Sequence, residues 1–274
     1  MKRSGIERWK RFGRSLGHRL GLSILLWSVA ACRSIERPEH FRIEPSARWW
    51  RTPLTGEVEI TAGGAPGSAT EIDVEEDLGL ERENHLTFSA DVHLADHRLT
   101  LSYLPLSFDG DAVLSEDIKF RDQLFLKGES VKSQVSLDTL IARYDYPLYG
   151  DDRAGARLGA SIYWWELEAE IESLTTFTQA ERDFSRLLPG AHIEGHQPFG
   201  PAILEILGAA ALLDEGRRLF ELDGQISVPL EELGIPLKGA VGGGYRYLFY
   251  GLNEDTNVGD LTVQGPFAEL SFWF

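Results

Sequence analysis

Over long stretches of this chain apolar and polar residues alternate one by one, the period of a strand with two unlike faces. The clearest run is His85–Leu94, where Leu86, Phe88, Ala90, Val92 and Leu94 alternate with Thr87, Ser89, Asp91 and His93. The turn Ala95-Asp-His-Arg98 leads into Leu99, Leu101 and Tyr103 set against Thr100 and Ser102, which predicts a hairpin. Ala47–Ala62 is an earlier strand with Pro53 marking a bend or bulge. Gln134–Leu148 changes parity near Leu140, the sign of a bulge or of a strand end leaving its apolar surroundings. Ala156–Trp164 alternates cleanly, and above it Glu166, Glu168, Glu170 and Glu172 fall on one face. Leu219–Leu230, Lys238–Tyr250 and Gly265–Phe274 complete the set.

Short turns at 95–98, 149–153 and 231–236 alternate with long connections at 63–83, 109–132 and 173–216. Ser173–Gly200 is polar and irregular. Pro201–Gly216 is apolar throughout, with Pro at its start and Gly at its end, and reads as loop or helix. Leaving it out gives eight strands, an even number that puts both termini at the short-turn end; ten strands follow if a further one is hidden. The expected fold is therefore all-β: an antiparallel up-and-down transmembrane β-barrel of about eight strands, with long external loops and short periplasmic turns. No stretch after Cys32 has 18 consecutive apolar residues, so no transmembrane helix is expected there. A closed barrel is the other structure that satisfies its backbone in lipid. The alternative is a soluble periplasmic barrel of lipocalin type, with the apolar face turned inward around an apolar ligand.

The first 31 residues change the picture. Seven basic residues precede the apolar run Leu20–Ala31, which predicts an export signal peptide at 1–31. It ends Val29-Ala-Ala-Cys32, which resembles a bacterial lipobox with Val where Leu is commonest. The resemblance implies lipidation of Cys32, and Arg33 in place of Asp implies release from the inner membrane. Cys32 is the only cysteine, so an intrachain disulfide is excluded. Residues 32–45 then form a tether and 46–274 the barrel domain. Removing the leader takes away a net of six positive charges, so that −16 becomes −22. That acidity excludes nucleic acid as an electrostatic partner and suits loops that face divalent cations.

The stretch ending Asp77-Leu-Gly-Leu80, the hairpin His85–Tyr103, the segment Gly244-Tyr-Arg-Tyr-Leu248 and Gly265-Pro-Phe267 carry a family resemblance over residues 46–274. The chain resembles small, largely uncharacterised proteobacterial outer-membrane β-barrels with an eight-stranded, outer-membrane protein A-like fold. The resemblance implies residence in the bacterial outer membrane among its lipids. It also implies insertion by the barrel-assembly machinery through a terminal signal at Leu270, Phe272 and Phe274, with Glu269 where the family often has Gly. It supplies no reaction and no cofactor.

Asp91, Arg143, Arg157, Glu221, Asp223, Arg246 and Glu269 share the polar faces and are expected to form a lumenal ion-pair network, with a narrow channel as the alternative. His192-Ile-Glu-Gly-His196 offers two imidazoles four residues apart, weak metal candidates expected as solvated loop residues. Asp255, Asn257 and Asp260, and the run Asp73–Asp77, resemble fragments of calcium loops without the full spacing. His85, His93 and His97 share a hairpin with Ser89 and Asp91, the residue types of a lipid-modifying enzyme, but strand spacing sets them too far apart for direct contact. Trp49, Trp50, Trp164, Trp165, Tyr103, Tyr245, Tyr247 and Tyr250 are expected in aromatic girdles. A structural or surface-interaction role without catalysis is the expected function.

Overall fold

The computed structural model describes residues 41–60, 70–121, 123–150, 154–212, 217–254 and 257–274. The leader, Cys32, the first part of the tether and Asp255 lie outside these residues. The strands are β1 (Phe41–Thr52), β2 (Leu54–Ile60), β3 (Glu71–Asp73), β4 (Glu83–Leu94), β5 (His97–Val113), β6 (Ile118–Phe120), β7 (Gln123–Phe125), β8 (Ser130–Gly150), β9 (Gly155–Ser173), β10 (Gln179–Phe199), β11 (Ala202–Leu212), β12 (Arg218–Pro229), β13 (Gly239–Glu254) and β14 (Asn257–Phe272). Each neighbouring pair around the barrel is antiparallel, in the order β1-β4-β5-β8-β9-β10-β11-β12-β13-β14, and β14 returns to β1. Because β2 continues β1 past Pro53 along β14, the wall has ten strands. Gly56, at φ 125°, lets β2 lie against β14: a Cβ there would stand 2.0 Å from the Asp260 carbonyl oxygen.

Ten strands replace the expected eight because two were concealed. Ser173–Gly200, read as irregular, contains the 21-residue β10, and Pro201–Gly216, read as loop or helix, contains β11. Two additional strands preserve the even number, so both ends of the barrel domain still lie at the short-turn side. β1 begins at Phe41, inside the stretch expected as tether.

The strands are long. β8 and β10 have 21 residues each, roughly twice the 9–11 that cross a bilayer. What the excess does is visible along β9. Its lower outward positions are Ala156, Leu158, Ala160, Ile162 and Trp164, and its upper ones are Glu166, Glu168, Glu170 and Glu172. The inward face changes in the opposite sense, from Arg157 and Ser161 to Tyr163, Trp165, Leu167, Ala169 and Ile171. β5 and β8 repeat the exchange. On β8 the inward Val135, Leu137 and Ile141 give way to Arg143 and Asp145, and the outward Ser136 and Asp138 to Leu140, Ala142, Tyr144 and Tyr146. The parity change near Leu140 is thus a change of surroundings; the pairing of β8 with β9 slips only lower down, between Pro147 and Tyr149.

The exchange occurs at one level. Leu140 is paired with Tyr103 on β5 and Trp164 on β9, and Trp164 with Leu187 on β10. Below this ring the apolar side chains point outward and are exposed, including Leu101, Leu158, Ile206, Leu222 and Ile226. Above it they form a buried core. The segments around β3 and between β5 and β8 close that core, contributing Ile72, Val74, Leu78, Leu80, Leu114, Ile118, Phe120 and Phe125. A lipocalin-type barrel would keep its apolar face inside along the whole strand; the outward belt below the ring is that of a membrane barrel. Trp50, Trp165 and Tyr250, expected in a girdle, point inward into the core, whereas Trp49, Trp164 and Tyr245 are outside.

The belt on β9 is centred on Ala160. Ala160→Arg is expected to lower stability in lipid vesicles by about 2–4 kcal/mol, the cost of a cation at the bilayer midplane, whereas Glu168→Arg above the ring changes it little. Urea unfolding followed by tryptophan fluorescence reads both.

Candidate functional site

Below the apolar core, the lumen holds a polar cavity of about 180 Å³. Its walls are the inward faces of β1, β4, β5, β8 and β10–β14, which alternate polar residues because lipid claims the other face. Leu104, Leu207 and Glu221 lie at its upper end. At the short-turn end its wall includes Arg42, Glu44 and Glu205, whose side chains retain 37%, 22% and 34% of their exposure. The cavity is a cup with its rim on the periplasmic side.

The charges form linked pairs. Glu221 accepts from Arg143 Nη2 at 2.5 Å, from Arg246 Nη2 at 2.6 Å and from the Tyr163 hydroxyl at 3.0 Å. Arg48 donates to Asp223 and, at 2.8 Å, to Glu269. Arg246 lies 3.8 Å from Asp223, which joins the two clusters. On the opposite wall Arg98 binds Asp145 at 3.2 Å and Glu194 at 2.5 Å. Asp145 also meets His192 Nε2 at 2.7 Å, over Gly159, where a Cβ would stand 2.4 Å from the imidazole ring. The arginines couple this network to the core above. The Arg48 guanidinium lies 3.7 Å from the Phe267 ring centre, and that of Arg246 5.7 Å from Trp50.

All seven residues expected in the lumen network sit on inward strand positions. Arg143, Glu221, Asp223, Arg246 and Glu269 belong to the linked pairs through Arg48. Asp91 stands apart, paired across the strands with Thr100. Arg157 lies at the periplasmic end and donates to the Asp96 carbonyl at 3.2 Å. Six further charged residues line the wall, Arg42, Glu44, Arg48, Arg98, Glu194 and Glu205, and Asp145 adjoins it. Those on β10 and β11 were hidden with their strands; Arg48 and Arg98 were legible from the same alternation that exposed Asp91.

The metal candidates resolve differently from the expectation. His192 and His196 are buried strand residues, not solvated loop residues: both face the lumen with Glu194 between them, and His196 Nε2 lies 2.5 Å from Glu194. Asp260 is exposed and paired with Arg218 at 3.2 Å, and Asn257 begins β14. Asp73 serves its own turn, accepting from the Glu75 and Glu76 amides at 2.8 Å each. Beyond the membrane, the hydrogen bond that the protonated Glu57 carboxyl donates to Glu71, and the nearby charges of Glu71, Asp73 and Asp260, raise the pKa of Glu57. The hairpin residues are dispersed. His85 packs against Phe108, His93 lies 3.1 Å from an Arg42 guanidinium nitrogen, and His97 stacks on Tyr144 outside. The Ser89 hydroxyl meets Ser46 at 2.7 Å. These residues therefore form no nucleophile–base pair. At the terminus, Leu270 is outward and Phe274 is tied to Ile43 by backbone hydrogen bonds of 3.0 and 3.4 Å. Glu269 is the lumen partner of Arg48.

No protein-family model matches the chain, and no curated protein matches it. Solved structures do. The outer-membrane protease OmpT from Escherichia coli superposes with a TM-score of 0.50 at 10% identity, over 88% of this chain and 99% of that one. Ail, the attachment invasion locus protein of Yersinia pestis, in complex with a heparin analogue, gives 0.39 at 9% identity, over 85% and 99%. Neisserial surface protein A gives 0.32 at 10% identity, over 85% and 96%. The chain has the fold of a bacterial outer-membrane β-barrel, and its apolar belt agrees with that location.

Glu221 holds two guanidinium groups in a low-dielectric lumen. Glu221→Leu is expected to cost about 3–5 kcal/mol by leaving buried cations uncompensated. Adding Arg143→Leu should recover part of that loss in a double-mutant cycle of urea midpoints.

Proposed function

We propose that this protein is a sealed outer-membrane barrel whose extracellular half is a platform for surface interaction, without a conducting pore. The observation that carries the reading is the apolar core above the membrane ring. There Leu104, Leu106, Phe108, Leu137, Trp165 and Tyr250 are almost wholly buried and the segments around β3, β6 and β7 close over them. An ion would have to cross that apolar layer, whose walls offer few polar partners. Lipidation of Cys32 fits the same arrangement, because β1 starts at the periplasmic end, where an anchored N-terminus would lie.

Support for an interaction surface comes from the extracellular tip. Phe177 takes a left-handed φ of 57° and keeps 79% of its exposure. Such a conformation is costly for a side chain with a Cβ and persists where the surroundings hold it. Leu174, Val113 and Leu126 are also exposed. OmpT, by its name a protease, shares the fold at 10% identity, and this likeness carries no activity to the present chain.

Reconstitution into planar bilayers tests the sealed barrel. Protein whose electrophoretic mobility shifts on boiling, the mark of a folded barrel, is expected to produce no discrete conductance steps. Steps of steady size from such protein would overturn the reading.

A further inference from the structure

The cup on the periplasmic side has a function to spare beyond holding the barrel together. Five arginines and seven carboxylates face the cavity, leaving two negative charges unmatched when its histidines are neutral. Asp145 and Arg157, which adjoin this wall, cancel each other. Arg48, Arg98, Arg143 and Arg246 are occupied by the pairs already described. The surplus falls on Asp91 and Glu205. Asp91 has a buried Oδ1 without a hydrogen-bond partner; Thr100 hydrogen-bonds its side chain, and the cation it feels, Arg98, is already held by Asp145 and Glu194. Glu205 has the Gln225 amide at 2.9 Å and His196 Nδ1 at 3.8 Å. Glu44, with Arg42 at 3.6 Å, stands at the rim between this surplus and the periplasm.

We propose that the cup binds a small organic dication, an aliphatic diamine, entering from the periplasmic side. The charge to be neutralised is two. The cavity is below the roughly 300–1,000 Å³ of sites for drug-sized ligands, which selects a short chain. Each ammonium group supplies donors alone, and Asp91 and Glu205 supply acceptors. The methylene chain has Leu104 and Leu207 against which to lie. A bare metal ion fits less well: among the described residues, no three histidine or carboxylate ligand atoms in the cup lie within 4.8 Å of one another.

Isothermal titration of the detergent-folded protein with 1,4-diaminobutane tests this. One saturable site is expected. Asp91→Asn and Glu205→Gln should each weaken it at least about tenfold, as loss of a charge-assisted hydrogen bond does. Glu170→Gln, on the outer wall, should leave it unchanged. Butane-1,4-diol, the same length without charge, should not bind. All variants are first checked for the mobility shift of a folded barrel; if Asp91→Asn does not fold, Glu44→Gln at the rim takes its place and should also weaken binding. Absence of saturable binding, equal binding of the diol, or undiminished binding by folded Glu205→Gln protein would overturn the proposal.

Discussion

A strand has only two faces, and the medium outside this barrel changes partway along its length. That constraint governs the molecule. Where the wall meets hydrocarbon, apolar side chains must point outward and the polar ones are left to the lumen. Where it meets water, the outward face must be polar and the apolar residues gather inside, as in a soluble protein. The ring Tyr103–Leu140–Trp164–Leu187 is the level at which the two requirements meet. The result is two stacked interiors, an apolar core outside and an ionic cup below.

The ionic cup is a consequence of the lipid belt, and it needs its own solution. Charges facing a lumen walled by lipid are costly unless paired. Glu221 meets this by taking both Arg143 and Arg246, and Arg48 by bridging Asp223 to Glu269. The arginines also suit the join between the two interiors. Their flat guanidinium faces lie on Phe267 and Trp50 while their edges serve carboxylates. The acids without a close arginine, Asp91 and Glu205, lie toward the periplasmic end of the wall.

The same face exchange explains what the sequence revealed and what it concealed. β4 was plain because its apolar alternates stay on one parity from Leu86 to Leu94. β9 was plain in its lower half, and its four aligned glutamates already marked the upper one. β10 was not, because Leu187 and Leu188 are consecutive apolar residues at the ring, one outward and one buried, and Pro189 and Gly190 follow. β11 offers Leu204 and Ile206 to lipid and Leu207, Ala209 and Ala211 toward the core, so both faces are apolar and period two vanishes. With those strands went His192, Glu194, His196 and Glu205, which local sequence presents as loop chemistry. The parity change near Leu140 carried the missing information: it marks the level of the ring.

Oxygen and nickel accessibility of nitroxide labels, placed one at a time along residues 156–172 of β9 in lipid vesicles with Cys32 replaced by Ser, tests this face exchange most directly. The account predicts that outward labels from 156 to 164 are reached by oxygen, and those from 166 to 172 by the water-soluble nickel complex. The reversal should fall between Trp164 and Glu166. A single accessibility pattern along the whole strand, or a reversal placed elsewhere, would contradict it.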